Sequence, residues 1–572
     1  AEWKRFLAYA RQDIEAMREV YRRTRPLPLE EWCEYWAFEH INRRGVTLDV
    51  PYVRQAAALV TEDAKASGHR LAELTDKAVI RVTQAKRIAI WLNDNLADAA
   101  MRDVLTVGVP ADDDDEDDAD TEANQEFSLT RDRVARVLAM LDAKHANGGL
   151  SLVETKAREV AAIRLYGAGA APKKFARLEA QQVDGVLRGQ YRFAGAGQTG
   201  RMTSRGAQIQ NLTRDVLGEG GVAEGPLVEA IAKGCDYATL VAADPVDVPA
   251  ARKLALIVRP ALVARPGTLL VSSDWSTIEA RIAPWLAASE GGEEVLDIFR
   301  ANDRDPTRPD LYTIAAAGIV HKDTSTITKP ERHLGKIATL ACIFGGGVGA
   351  LNAMALSYRV HLEPAEARRI VDAWRETNPW ARAFWNALWD AAMSAWEVPG
   401  RITTAGRLAF IYRDDYLGGT LFMALPSGRL LTYPRPRWRE VEVLGKDGKP
   451  TGEKRTELSI RRAHGRAKLW HGTLCENAVS GTAADILRAR DADRDESGAR
   501  MDADPHDDAR RDRLRGRCGA RRRGKGDPAS RDADPAGMGC RSATAIRRKH
   551  LQAIHQKQDH AVERDQNLRR RQ

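Results

Sequence analysis

Hydrophobic positions along this chain follow two periods. Apolar residues recur at helical spacing over 277–288, 310–319, 330–344, 364–376, 379–397 and 475–489, which predicts amphipathic helices. Residues 1–105 carry the same spacing, opening on the charged amphipathic stretch AEWKRFLAYARQD. Short apolar runs bounded by turn residues predict strands over 268–274, 419–424 and 429–433. In the first of these, Leu269, Leu270 and Val271 lead into Asp274, and Glu279 follows in the opening turns of a helical pattern. Residues 126–490 therefore read as mixed α and β, with Gly-rich turns and no internal repeat.

Two stretches break the pattern. ADDDDEDDAD, at 111–120, cannot bury itself and is expected as a solvated, disordered loop. Residues 489–572 contain no Phe, Trp or Tyr and are dominated by Arg, Asp, Ala and Gly. Such a segment buries too little apolar surface to offset chain entropy, so it too is expected to be disordered.

Composition narrows the class. A chain of 572 residues supports about two to four domains, and 43% hydrophobic with 29% charged residues is ordinary for a soluble protein. The net charge of +8 is compatible with a polyanionic partner without demanding one. Six scattered cysteines, with no CxxC pair, exclude a disulfide framework and a zinc site of that type and suit a reducing cytosol. No run approaches the ~18–20 apolar residues of a membrane span. The N-terminal stretch lacks signal-peptide character, so a cytoplasmic protein without a membrane partner is expected.

A carboxylate at a strand end, such as Asp274, can present a hard oxygen ligand to Mg²⁺, although many strands end in Asp for turn reasons alone. The stretch ERHLGKIATLACIFGGGVGAL, residues 331–351, adds a second feature. On a helix, Arg332, Lys336, Leu340 and Phe344 follow one another at i+4 on one broad face, and Gly345-Gly346-Gly347 then stops it. The cations could grip a polyphosphate and the ring could stack on a base. Taken alone, the same face could be an amphipathic helix with a solvated basic flank.

These residues resemble a known family. SSDWSTIEARI (272–282) resembles motif A of family A DNA polymerases, and RHLGKIATLACIFGG (332–346) resembles their motif B. AGAGQTGRMTSRGAQIQNL (194–212) is similar to the segment that lies along the primer–template duplex, and CENAVSGTAADILR (475–488) to the palm helix before the third catalytic motif. The glycine-rich runs look most like bacteriophage or prophage members, which implies a bacterial cell or phage-infected host.

The resemblance implies an α+β right-hand polymerase fold of thumb, palm and fingers, largely helical with a small antiparallel palm sheet. It implies template-directed DNA synthesis from dNTPs on a primer–template, by two-metal Mg²⁺ phosphoryl transfer, in a monomer. Asp274 and the Trp275 carbonyl would be metal ligands, and Glu279 the steric gate against a ribose 2′-OH. Arg332 and Lys336 would hold the triphosphate, with Lys336 placed to protonate pyrophosphate. Leu340 stands at the sugar-sensing position and Phe344 near the templating base. Arg201, Gln210, Asn211 and Arg281 would touch duplex and primer end, and Lys173 and Lys174 thumb-side phosphates. Trp275, Thr277 and Ala280 depart from the usual Tyr, Gln and Leu of motif A, Phe344 from a common Tyr, and Ser480 from a usual Gln. Tyr9 and Asp13, at i and i+4, match the last motif of the family's 3′–5′ exonuclease, whose earlier acidic motifs are absent. The chain is thus expected to be an N-terminally truncated member.

The implied domain plan is an exonuclease remnant at 1–24, thumb and early palm at 25–265, motif A palm at 266–289 and fingers at 290–395. The remaining palm would span 396–488, followed by the tail from 489 to 572. The second catalytic Asp of the family sits in a His-Asp-Glu turn next to an apolar strand. His506, Asp507 and Asp508 stand at that distance with no apolar strand beside them. Residues 508–516, DARRDRLRG, can however be encoded so that dropping one base reads Thr-His-Asp-Glu-Ile-Val-Cys-Glu-Val. A frameshift near Arg488–Arg490 is the expectation, with the tail an out-of-frame product and polymerase activity lost or crippled. The rival is a catalytically silent primer–template or dNTP-binding remnant of a decaying prophage gene, and a third possibility is a makeshift motif built on His506–Asp508.

Overall fold

The computed structural model describes residues 2–24, 29–105, 129–213, 215–218, 221–358, 360, 362–444, 450–462 and 465–498. The acidic block 111–120 and the tail beyond 498, including His506–Asp508, lie outside them. The chain divides into two compact units, residues 1–44 with 485–572, and residues 45–484.

In the first unit, α1 (Glu2–Arg23) is the amphipathic helix that the spacing predicts. Its apolar side is exposed, with Trp3 and Phe6 stacked at 5.4 Å. Tyr9 is also exposed, and no hydrogen bond joins it to Asp13. On α2 (Leu29–Arg44), Trp32 and Tyr35 meet edge to face at 5.7 Å. Arg488 approaches Glu34 at 3.8 Å in the same unit.

The second unit opens with β1 (Val46–Leu48) and α3 (Val50–Leu74). Asp49 accepts from the Tyr52 N–H at 3.0 Å and Pro51 occupies the first turn, so the start of α3 is fixed locally. α4 (Ala85–Asn95), α5 (Ala99–Leu105), α6 (Arg131–Ala146) and α7 (Leu152–Gly167) bury Ile88, Leu92, Leu141 and Val160 against Leu71 and Leu74. α8 (Ala170–Gln181) places Phe175 and Leu178 on the other half of α3.

Short strands follow: β2 (Val186–Leu187), β3 (Tyr191–Arg192) and β4 (Thr203–Ser204). α9 (Glu224–Ala232), α10 (Tyr237–Ala242) and α11 (Ala250–Leu256) lead to β5 (Leu262–Val263). β1 lies between β2 and β5, antiparallel to both, which closes this half on itself.

The largest core belongs to the rest of the unit. α12 (Ile278–Ala287), α13 (Glu290–Arg304), α14 (Leu311–Val320), α15 (Lys329–Cys342) and α16 (Val348–Ser357) are followed by α17 (Pro364–Thr377) and α18 (Pro379–Glu397). They pack on an antiparallel meander of β6 (Ile402–Ala405), β7 (Leu408–Arg413), β8 (Thr420–Ala424) and β9 (Leu430–Pro434). A second sheet is formed by β10 (Arg437–Leu444), β11 (Pro450–Arg462) and β12 (Gly465–Lys468), and α19 (His471–Gly498) closes the described chain. The fold is α+β, largely helical with small antiparallel sheets. No helix among the described residues is long and apolar enough to cross a membrane.

Three expectations need correction. The strand expected over 268–274 does not form: these residues have no regular secondary structure and pair with no strand among the described residues. Leu269, Leu270 and Val271 are 88%, 64% and 93% exposed. A strand has no internal hydrogen bonds and needs a neighbour, whereas the adjoining helix supplies its own. Second, α15 ends at Cys342, before the glycines and before Phe344. The turn beyond needs Gly345, which has φ +90°, and a side chain there would collide with His471. Third, the helix expected over 475–489 starts at His471 and runs on to Gly498, so the tail is not disordered from 489. No Pro or Gly interrupts residues 482–497, and Ala, Arg and Glu favour helix.

Candidate active site

Asp274 sits on the irregular segment that enters α12, and it is exposed. Thr277 caps this helix in a left-handed conformation, φ 56° and ψ 41°, which a β-branched residue adopts only under constraint. The constraint is visible around it. The Tyr312 side chain lies against Thr277, and Arg281 donates from Nε to the Ser276 carbonyl at 3.0 Å. Glu279, half-buried in the first turn, faces Tyr312 closely enough that its charge adds to the burial that raises the tyrosine pKa.

α15 supplies the facing cations. A capping box starts it: Thr328 accepts from the Glu331 N–H, and Glu331 accepts from the Thr328 N–H at 2.8 Å. Ion pairing with Lys322, then the Thr328 donors, hold the Glu331 carboxyl down at about 2. Gly335, Ile337, Ala338, Ala341 and Cys342 are buried in the core, while Arg332 is exposed and Lys336 and Leu340 are half-buried. The helix thus turns the expected face outward. Phe344 is half-buried beyond the helix end.

Neither cation stands alone. Arg332 pairs through two nitrogens with Asp310 and lies over the Tyr312 ring at 5.6 Å. Lys336 Nζ lies 5.1 Å from the centre of the Tyr358 ring. Asp310 also caps α14, accepting from the Thr313 N–H at 2.9 Å and hydroxyl at 2.7 Å. Burial pushes the Asp310 carboxyl up, but Arg332 and Thr313 outweigh it and hold it below the usual range. Glu279, Tyr312, Asp310 and Arg332 therefore form one connected group joining the starts of α12, α14 and α15.

Apart from Arg281, which is on α12, the residues assigned to DNA lie on another part of the unit. Arg201, Gln210, Asn211 and Lys173 are exposed. Lys174 is tied inward, donating to the carbonyls of Gln208 at 3.2 Å and Asn211 at 3.0 Å, so it braces the turn that displays Gln210 and Asn211. Burial, then the charge of Arg177, lower its pKa. The loop before Arg201 is anchored by Gln198, which donates to the Thr432 carbonyl at 3.1 Å, and by Arg429, which donates to the Thr199 and Gly481 carbonyls, both at 2.8 Å. Arg281 forms a two-pronged ion pair with Asp303 at 2.7 and 2.8 Å, over the Phe299 ring.

Asp303, Asp310, Tyr312 and Tyr358 were not legible as site residues. Asp310 carries a sequence signal, an Asp followed three residues later by Thr at a helix start, but that signal reports a cap and not its pairing with Arg332.

A two-metal site does not fit the described residues. Asp274 is one exposed carboxylate, and no group of three or more His, Cys, Asp or Glu side chains converges among them. Two cations about 3.5–4 Å apart require more donors than one acid provides.

With this geometry in hand, the likeness to known proteins is informative. Residues 173–409 match the model of DNA polymerase family A, a span that includes Arg201, Asp274, Glu279 and all of α15. The DNA polymerase of Bacillus phage SP02 is 29% identical over 529 residues, covering 90% of this chain and 70% of that protein. Among solved structures, the POL domain of Pol1 from M. smegmatis, in complex with DNA primer-template and dNTP, is 13% identical with a TM-score of 0.44. That match covers 79% of this chain, which spans 57% of the length of the solved one. Over residues 173–409 the chain is thus similar to DNA polymerase family A, and it resembles a phage DNA polymerase over most of its length.

Proposed function

We propose that this chain carries a DNA polymerase core that binds primer–template DNA and a deoxynucleoside triphosphate, and that as written it extends primers only at background level. The observation that carries the reading is the contrast within one unit: a complete, capped α15 with its cations facing outward, and an apolar segment before Asp274 with no sheet to join. Arg332 and Lys336 would take the triphosphate, Arg332 exchanging the Asp310 carboxylate for phosphate oxygens of the same geometry. Glu279 would fill the space beside the sugar, held by the packing of Tyr312 and the constrained Thr277 turn. Arg201, Gln210 and Asn211 would meet the duplex, on a loop fixed by Arg429 and Gln198.

A Mg²⁺ pair would supply charge neutralisation in phosphoryl transfer, and the described residues hold donors for only part of it. The second carboxylate and its strand are what a one-base frame change near codon 489 would restore, and the exposed Leu269–Val271 run is the surface such a strand would cover. The loss is in keeping with the prophage origin that the phage relative suggests.

Equilibrium binding tests the reading apart from catalysis. A dNTP should bind the purified chain, Arg332→Ala should weaken it about tenfold or more, and Asp310→Asn should strengthen it by releasing Arg332 while keeping an oxygen for the α14 cap. A folded chain that binds neither dNTP nor primer–template would overturn the assignment. Robust extension abolished by Asp274→Ala would instead show that an acid of the tail completes the site.

A further inference from the structure

The sheet of β10, β11 and β12 lies after the residues that match the polymerase family, and its two faces differ in kind. Directly paired residues of an antiparallel sheet share a face. Arg437 pairs with Ser459, Arg439 with Glu457 and Val441 with Arg455; across the next strand, Arg461 pairs with Arg466 and Ser459 with Lys468. Six cations therefore occupy one face: Arg437, Arg439, Arg455, Arg461, Arg466 and Lys468. Of these, Arg437, Arg455, Arg461 and Lys468 are exposed. Glu457 lies among them, 7% exposed, bonded to Arg439 at 2.6 and 2.9 Å and ion-paired with Arg455 at 3.7 Å, and Glu453 lies on the same face toward the far end.

The opposite face does the structural work. Leu458 and Ile460 are buried in the main core, and Trp438 packs on Trp389 and Trp396 at 6.4 and 6.2 Å. Folding thus leaves Arg437, Arg455, Arg461 and Lys468 of the basic face exposed around a buried centre of Glu457 and Ser459.

That face is arranged against electrostatic preference. Arg461 and Arg466 stand directly opposite each other, and like charges so placed are destabilising. Arg466 is pinned there, donating to the Ser459 hydroxyl at 3.0 Å, the Ser459 carbonyl at 2.7 Å and the Arg435 carbonyl at 2.5 Å. Burial, then the charges of Arg437, Arg439 and Arg461, lower its pKa. A face that holds guanidinium groups together against repulsion is relieved by a polyanion laid across it.

We propose that the outward face of the β10–β11–β12 sheet is a duplex-DNA-binding surface, separate from the segment that carries Arg201 and outside the family-matched region. No Phe, Trp or Tyr projects from this face, so it lacks the stacking platforms that single strands use, and contact would be to phosphates and independent of sequence. DNA is the polyanion of choice because the end of β11 adjoins the assigned duplex segment: Arg462, next to Arg461 but projecting from the opposite face, donates to the Gln198 side chain at 3.2 Å. The choice of DNA rests on the polymerase reading, and the experiment separates the two.

The probe is a short blunt-ended duplex, titrated by fluorescence anisotropy over a range of salt concentrations against the full chain. Arg437→Gln/Arg461→Gln should weaken binding about tenfold at low salt and reduce the slope of log affinity against log salt by about 1–2. Arg455→Gln/Lys468→Gln, an independent pair, should act in the same direction, and Arg437→Lys/Arg461→Lys should largely preserve binding. Circular dichroism melts confirm that each variant folds. Arg201→Ala should leave the slope lost on the sheet variants in place. Unchanged duplex affinity and slope in both Gln pairs would overturn the proposal, while primer–template binding that still depends on Arg201 would leave the polymerase reading standing.

Discussion

α15 and the segment before Asp274 carry family motifs of similar clarity, yet one is a finished element and the other is not. α15 closes its own hydrogen bonds, is capped by Thr328 and Glu331, and buries Ile337, Ala338 and Cys342 completely. Residues 268–274 have the apolar run of a strand but expose it. The difference is one of locality. A helix draws its backbone partners from four residues away, whereas a strand borrows them from a neighbour that the chain must supply elsewhere. A strand motif can therefore be clear in sequence without a strand forming.

The largest expected effect comes from supplying the neighbour. Restoring the frame by one base near codon 489 should raise primer extension more than about a hundredfold, the scale of several kcal/mol of transition-state stabilisation. Hydrogen exchange gives a readout besides activity: amides of 269–273 should become protected. A reframed chain that leaves them unprotected and inactive would mean that α15 and this segment never belonged to one site.

Core substitutions sharpen the contrast within the chain as it stands. Ile337→Ala, at a fully buried position, should cost about 2–5 kcal/mol in denaturant unfolding. Val271→Ala, at an exposed one, should stay within about 0.5 kcal/mol. A large loss at Val271 would reveal a packing partner for the segment after all.

Capping is a smaller test of how far α15 is self-sufficient. Thr328→Ala removes the acceptor for the Glu331 N–H and should cost about 1 kcal/mol. No change would mean that tertiary packing alone fixes the helix start.

The mildest probe is pH. Glu331 is depressed from 4.5 to about 2, so its contribution is complete above the unfolded carboxylate range and is lost as pH falls through the folded value. The difference in melting temperature between the native chain and Glu331→Gln should accordingly shrink between pH 4.5 and pH 2. A constant difference would assign the effect to something other than this charge.

α12, α14, α15, α17 and α18, the strands at 420–424 and 430–434 and the outward face of α15 were legible from periodicity, because each depends on residues a few positions apart, whereas α13 and α16 were not among the expected helices. The likeness to the polymerase family was legible too, since it rests on ordered local motifs. Tertiary structure alone decided the rest. It paired Arg332 with Asp310 and Arg281 with Asp303, each across 22 residues, and set Tyr312 against Thr277. It also gathered six cations on one face of a sheet whose register joins residues 437–441 to 455–459. Long-range pairing depends on which surfaces bury together, and no local period reports that. The same rule explains the one failed strand: its residues specify an extended, apolar segment, but only a partner from elsewhere in the chain could have made it part of a sheet.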